Sequence, residues 1–341
     1  MKKFLKYLSG FYKSKPAVIG SLIIFKLLFQ IIVIQSGLRW LTADDYSRTV
    51  ISWDWLQSPR IYSGVWLSLH FWIEGIFIWI FKDLTLAPII CNTLFSVLTL
   101  VYLYLTFERI FTRQVAVIST LIYCAFPFQV WLSTSAMPEP VFFFFITLAI
   151  YYFVVWYQKH DVKNSIQYII ISAVSLNIAN LLRYEGWFFT VAFIIMIGIL
   201  SFKKNKNNRQ FYINTAYSLL SVISILWWLY LNNRDYGDPF FFIKETNKIY
   251  AGLSNAGFLQ RVVQYPFFIF YIAPLTTVLG LWKIIQTVRN KRDGFKGNFS
   301  LLRIFLLFNL VELLLLMLSG IIGSGGTNMI SRYIVLNSVL L

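Results

Sequence analysis

The sequence is divided into apolar runs that are each long enough to cross a bilayer, whose hydrocarbon core is about 30 Å thick. Hydrophobic residues make up 58% of the 341 positions and charged residues 13%, a balance that excludes a soluble domain. Nine runs predict spanning helices, because a helix satisfies its own backbone hydrogen bonds in lipid. They lie at residues 16–35, 86–107, 115–132, 140–157, 166–182, 186–202, 211–231, 264–284 and 301–322. The predicted fold class is an all-α polytopic membrane protein.

A tenth apolar stretch, residues 62–81, contains His70 and Glu74 and is rich in Trp and Tyr, which favour the membrane interface. If this stretch does not cross, most Lys and Arg residues of the loops lie on the side of the N-terminus. If it crosses, the two most basic loops, 203–209 and 283–303, lie on the other side. Because cytoplasmic loops carry the excess of positive charge, the stretch is predicted to be juxtamembrane or re-entrant and the N-terminus to be cytoplasmic.

The predicted organisation is a single transmembrane domain over residues 1–341, in the cell membrane, with about nine to ten helices. A long first extracytoplasmic loop, residues 36–85, contains the juxtamembrane segment, and another extracytoplasmic loop covers residues 232–263. The last apolar run begins near Tyr333 and is too short to span, so we expect a truncated C-terminus. The net charge of +16 is spread over short loops, which is typical of membrane orientation and not of nucleic-acid binding.

Two adjacent carboxylates, Asp44 and Asp45, follow the first predicted span in a polar extracytoplasmic segment. Two like charges in contact destabilise each other unless a cation, a proton or a substrate resolves the conflict. The pair therefore predicts a catalytic site where a lipid-linked molecule would meet water.

Two short extracytoplasmic turns supply further candidates. Glu139 stands between Pro138 and Pro140, which restrict the backbone and aim the carboxylate from between two spans, although an acidic first helical turn would give the same pattern. Arg183 and Glu185 join two other spans. A guanidinium at this level offers a bidentate fork for a phosphate, and the alternative is an arginine that merely reaches out to water.

Five more residues are singled out by their surroundings. Arg332 follows a glycine-rich turn and is a second candidate for binding a phosphate. His70 and Glu74 are four residues apart, so in a helix they share one face, which can turn toward the segment of Asp44. A satisfied interfacial histidine is the alternative interpretation. Lys26 and Glu312 lie mid-way through predicted spans, where charges usually pair or face the protein interior.

Four patches together resemble the GT-C superfamily of integral-membrane glycosyltransferases, in particular glycosyltransferase family 39, the dolichyl-phosphate-mannose protein mannosyltransferase type, and its bacterial relatives. The patches are residues 43–46 (ADDY), 66–70 (WLSLH), 136–140 (AMPEP) and 182–187 (LRYEGW). The resemblance implies a GT-C-like bundle. It also implies an inverting transferase that moves a sugar, mannose or another hexose or pentose, from a polyprenyl-phosphate carrier to a glycan, lipid or protein acceptor outside the cytoplasm.

The resemblance also assigns roles. Asp44 would be the general base that takes the proton of the acceptor hydroxyl, with Asp45 as the second choice. Arg183 and Arg332 would bind the lipid phosphate. Glu139 would orient acceptor or sugar hydroxyls or join Asp44 around a divalent cation, and Glu185 and His70 are further candidates for binding the substrate or its lipid phosphate. Such a cation stays open, because carboxylates without a fixed spacing do not specify an ion.

Two other classes of function remain as alternatives. A transporter or flippase of a lipid-linked sugar would distribute polar residues through the depth of the membrane, whereas the predicted polar cluster lies at one face, which favours the enzyme. A scaffold of a glycan-assembly complex would tolerate Asn at both Asp44 and Asp45.

Overall fold

The computed structural model describes residues 14–37, 42–61, 64–159, 165–204, 208–250 and 257–289, together with 306, 309–311, 313–318 and 321. This part of the chain is helical and contains no β-strand. Its helices are α1 Lys15–Gln35, α2 Ala43–Gln57, α3 Leu69–Phe81, α4 Leu86–Ile110, α5 Arg113–Ala125, α6 Pro127–Ser133, α7 Glu139–Gln158, α8 Ile166–Asn180, α9 Glu185–Lys204, α10 Asn208–Ser218, α11 Ile223–Tyr236, α12 Phe241–Tyr250, α13 Phe258–Ile272 and α14 Pro274–Arg289, with a 3₁₀ turn at Leu219–Val222.

Five helical segments in the described part of the chain are long and apolar enough to cross a membrane. They are α1, α4, α7, residues 185–202 of α9, and the continuous helix 209–236 that runs from α10 through the 3₁₀ turn into α11. The bent pair α5 and α6 would make a sixth span. The chain is therefore a multi-pass α-helical membrane protein, and the predicted fold class is confirmed.

Prolines divide two of the predicted spans. The run 115–132 is bent by 60° between α5 and α6. Phe126 precedes Pro127 and has an extended backbone, because a proline disfavours the helical conformation of the residue before it. The run 264–284 is likewise divided at Ala273, directly before Pro274. The predicted run 301–322 lies largely outside the described residues, as do Glu312 and Arg332.

The stretch predicted to be juxtamembrane or re-entrant forms α3, whose 13 residues are fewer than a span requires. It packs against α2, and Gly75 permits the close approach, since a Cβ there would lie 2.8 Å from the Trp55 ring. Helix α2 is amphipathic: Tyr46, Val50 and Trp53 are exposed along one side, which suits a helix lying at a membrane surface.

The apolar core is centred on α7, which packs between α4 and α8 and buries aromatic and aliphatic side chains on several sides, among them Phe142, Phe143, Ile146, Ile150 and Phe153. At one end of α4, Glu108 forms ion pairs with Lys15 at 2.6 Å and with Arg113 at 2.7 Å. Asn92 lies near the other end, about 24 Å away at 1.5 Å per residue. The candidate site is built at the Asn92 end.

Candidate active site

The first turn of α2 is fixed by Asp45, whose side chain is completely buried. Its Oδ2 accepts hydrogen bonds from the backbone N–H and the hydroxyl of Thr42, both at 3.0 Å, which is half of a capping box. Its Oδ1 accepts the backbone N–H of Ala136 at 3.1 Å. Both carboxylate oxygens are thus engaged, and Asp45 joins the start of α2 to the turn between α6 and α7.

Asp44 precedes Asp45 in the same turn and is half-buried. Successive helical residues point about 100° apart, so its carboxylate leaves the helix in a different direction from that of Asp45. Arg48 lies four residues after Asp44 and on the same face of α2. It is largely buried, and its guanidinium lies 4.8 Å from the centre of the Trp66 ring. Sequence reasoning missed Arg48, although its i+4 spacing from Asp44 was visible.

The turn that follows α6 is held by side chains of α4. The Asn92 amide donates to the carbonyls of Ser135 at 2.6 Å and Met137 at 2.8 Å. The Thr93 hydroxyl donates to the carbonyl of Ser133 at 3.2 Å. Residues 133–139 are all buried, and these bonds satisfy backbone groups that no helix satisfies.

His70 and Glu74 share one face of α3, as their spacing predicts, and this face is turned toward α2. His70 Nε2 lies 3.0 Å from the carbonyl oxygen of Ala136 and 3.0 Å from Glu74 Oε2. The Glu74 carboxylate also accepts the hydroxyls of Thr49 at 3.2 Å and Ser52 at 2.9 Å. Both His70 and Glu74 are 1% exposed.

Arg183 lies between two carboxylates. Its Nη1 is 2.5 Å from Glu139 Oε1, while Nε, at 3.1 Å, and Nη2 both contact Glu185 Oε1. The two acids begin α7 and α9, where the helix dipole stabilises negative charge. All three side chains are at least nine-tenths buried, so Arg183 is not an isolated arginine that reaches for water. We call Glu139, Arg183 and Glu185 the carboxylate cluster.

The loop before α3 lies against the turn that carries Arg183. The backbone N–H of Leu69 donates to the carbonyl of Leu181 at 3.4 Å, and the Tyr184 hydroxyl donates to the carbonyl of Val65 at 2.8 Å. Gly186 allows a tight turn here, since a Cβ would lie 2.8 Å from Asn180 Oδ1.

Six predicted site residues are therefore brought to one end of the bundle: Asp44, Asp45, His70, Glu139, Arg183 and Glu185. Their link is the turn at residues 133–139, which Asp45 and His70 contact at Ala136 and from which Glu139 reaches Arg183. Within the described ranges, no group of three or more His, Cys, Asp or Glu side chains is arranged to hold a metal ion.

Residues 68–228 match the family model described as dolichyl-phosphate-mannose-protein mannosyltransferase. This segment includes His70, Glu139 and Arg183 but not Asp44 or Asp45. The apo crystal structure of the Archaeoglobus fulgidus oligosaccharyltransferase superposes with a TM-score of 0.55 at 12% identity, covering 95% of this chain and 49% of that one. This chain has the GT-C fold. The resemblance to GT-C glycosyltransferases in the four sequence patches is confirmed at the level of the fold.

Two further structures are similar to this chain, both with a TM-score of 0.49. One is the Saccharomyces cerevisiae protein O-mannosyltransferase Pmt1–Pmt2 complex bound to the sugar donor, at 12% identity over 74% of this chain and 39% of that one. The other is the archaeal oligosaccharyltransferase AglB from Archaeoglobus fulgidus in complex with an inhibitory peptide and a dolichol-phosphate, at 14% identity over 94% and 49%. This chain spans about half the length of these proteins, or less. No curated protein matches its sequence.

Proposed function

We propose that this chain is an inverting membrane glycosyltransferase that transfers a sugar from a polyprenyl-phosphate carrier to an acceptor hydroxyl on the extracytoplasmic side. The observation that supports this proposal is the difference between two adjacent carboxylates at the start of α2. Asp45 is buried and engaged through both oxygens, whereas Asp44 is half-exposed in the same turn. Asp44 is therefore the general base.

In the proposed reaction the acceptor oxygen bonds to the anomeric carbon on the face opposite the phosphate. Its proton passes to Asp44, the bond between the anomeric carbon and the phosphate oxygen breaks, and the electron pair leaves with the phosphate. A phosphate leaves as an anion without a general acid, so one base suffices. A positioned base contributes about 10²–10⁴-fold to the rate.

The leaving phosphate needs cations, and three arginines are candidates. Arg183 is already bound by Glu139 and Glu185, so a phosphate would compete with two carboxylates for it. Arg48 lies on the face of α2 that bears Asp44, which supports a role for it beside the base. Arg332 stays a prediction, since it lies outside the described residues. Glu139 and Glu185 carry two negative charges against one positive charge and would accept hydrogen bonds from sugar hydroxyls.

The orientation of the chain in the membrane is inferred from the positions of its Lys and Arg residues. The site lies at the end of the bundle opposite Lys15, Arg109 and Arg113, which mark the cytoplasmic end by the positive-inside rule. The site would then meet a carrier lipid in the outer leaflet.

The test is transfer by the purified protein in liposomes that contain a pool of polyprenyl-phosphate sugars labelled in the sugar. Wild type should release the label from the carrier. Asp44→Asn should lower the rate at least ~100-fold, because the amide cannot take the proton. Asp54→Asn is the matched control, since Asp54 is exposed on the same helix. Movement of the label across the bilayer without cleavage, unchanged in Asp44→Asn, would establish the transporter instead.

A further inference from the structure

The backbone of Ala136 is held at both of its polar groups by side chains from two different helices. Its N–H donates to Asp45 of α2 at 3.1 Å, and its carbonyl lies 3.0 Å from His70 Nε2 of α3. Asp45 and Ala136 are completely buried and His70 is 1% exposed. One residue of the turn thus fixes the distance between the start of α2, which carries Asp44, and the start of α7, which carries Glu139.

The proton on His70 can be placed by its neighbours. Nε2 faces the carbonyl of Ala136 and the carboxylate of Glu74, and both groups only accept hydrogen bonds. Nε2 must therefore carry the proton and donate it. Glu74 is in turn held by the hydroxyls of Thr49 and Ser52, so α2 orients Glu74, Glu74 orients the imidazole, and the imidazole orients Ala136.

We propose that His70 and Glu74 are positioning residues for the transfer reaction, which act on Asp44 and Glu139 through the backbone of Ala136. This inference rests on the proposed function. It differs from the sequence-based prediction that His70 contacts the substrate, because the nitrogen that would donate to a phosphate already donates to Ala136. Misplacing a reacting group by about 1 Å can cost about 100-fold in rate, so the loss of this contact is measurable.

Two substitutions of His70 distinguish the loss of the hydrogen bond to Ala136 from the loss of side-chain volume. Gln extends its amide nitrogen to the position of Nε2 and can still donate to Ala136, whereas the amide of Asn is too short to reach it. Glu74→Leu fills a similar volume without an acceptor for the hydrogen on His70 Nε2, so it tests whether the carboxylate orients the imidazole. Ser172→Ala is the control for the loss of a buried hydrogen bond elsewhere, since this hydroxyl donates to the carbonyl of Ala149 at 2.9 Å in the core.

The first readout is steady-state transfer in liposomes with varied donor. His70→Asn should lower kcat ~10-fold or more and leave the donor KM within about twofold, because the donor still binds while the base is misplaced. His70→Gln, which restores a donor to Ala136, should stay within about threefold of wild type in kcat, as should Ser172→Ala, whereas Glu74→Leu should lower kcat as His70→Asn does. A raised donor KM with unchanged kcat in His70→Asn, or equal losses in His70→Asn and His70→Gln, would overturn the proposal.

The second readout does not depend on activity. Amide hydrogen exchange over residues 133–139 should accelerate in His70→Asn and stay at the wild-type rate in His70→Gln and Ser172→Ala. Unchanged exchange in His70→Asn would show that the imidazole does not hold the turn, and would overturn the proposal even in an active enzyme. If wild type transfers no sugar, the proposed function fails, whereas the exchange measurement still tests whether His70 holds the turn.

Discussion

Two buried polar clusters hold the same stretch of chain at different depths of the bundle. The carboxylate cluster lies at the start of α7, and a second group, here called the lysine cluster, comprises Lys26, Gln30, Gln129 and Ser133. Lys26 is completely buried, and its ammonium group donates to Gln30 Oε1 at 2.9 Å, Gln129 Oε1 at 2.6 Å and Ser133 Oγ at 3.3 Å. The lysine cluster fixes α6 against α1, and the carboxylate cluster fixes α7 against the turn of Arg183.

The two clusters differ in the groups that contact their charged side chains. All three ammonium hydrogens of Lys26 have neutral oxygen partners, so the charge is held by dipoles and is closed to a ligand. In the carboxylate cluster, two acids share one guanidinium, and the excess negative charge lies at two helix N-termini. The charge near the middle of the first span is thus satisfied within the bundle, whereas the charges of the proposed site lie at one end of it.

The largest effect should come from breaking the carboxylate cluster. Arg183→Gln leaves two buried carboxylates without their cation, a change that typically costs about 3–5 kcal/mol. We expect a lower unfolding temperature in detergent and loss of transfer in the folded fraction. The double variant Arg183→Gln with Glu139→Gln should recover part of the stability but not the activity. Full activity in Arg183→Gln would contradict the functional role of this cluster.

Breaking the lysine cluster should affect stability alone. Lys26→Met removes the donor shared by Gln30, Gln129 and Ser133, and the unsatisfied oxygens should cost about 1–3 kcal/mol. Transfer per folded molecule should stay within about twofold of wild type, because Lys26 contacts none of the side chains proposed to act on the substrate. Thermal unfolding and transfer, measured on one preparation, check both parts. A loss of transfer that exceeds the loss of folded protein would show that the lysine cluster contributes to the reaction as well as to stability.

Apolar periodicity and length predicted the helices well where the chain is uninterrupted. The run 140–157 became α7, Glu139–Gln158, because its residues are apolar on all sides and α7 lies at the centre of the bundle. The breaks were not predicted, since a proline in a membrane helix does not by itself end it. Pro127 and Pro274 begin new helices, yet Pro266 lies inside α13.

In the candidate site, the sequence identified the charged residues but not their partners. Arg183 and Glu139 are 44 positions apart, and only the packing of α7 against neighbouring helices brings them together. Asp45 and His70 contact Ala136 through its backbone, so the side chain at this position gives no indication of the contact. One signal was readable: Thr42 followed three residues later by Asp45 is a capping pattern, which indicates that Asp45 stabilises the start of α2.

The smallest effect concerns an exposed carboxylate that belongs to neither cluster. Asp83 precedes α4, the helix that carries Asn92 and Thr93 to the turn, and its Oδ1 accepts the backbone N–H groups of Leu86 at 2.8 Å and Thr85 at 2.7 Å. These bonds favour the charged form and hold the pKa of Asp83 below its ordinary value of 3.8.

Because the pKa of Asp83 is lower in the folded state, its contribution to stability is complete above the unfolded value and is lost as pH falls through the folded value. Asp83→Asn keeps an acceptor for the helix start but cannot titrate. We therefore expect wild type to unfold at a slightly higher temperature than Asp83→Asn at pH 7, and this difference to disappear as pH falls below about 4. Unfolding temperatures of both proteins from pH 3 to pH 7 test this. A difference in favour of wild type that stays constant or grows as pH falls would show that the charged form of Asp83 does not stabilise the start of α4.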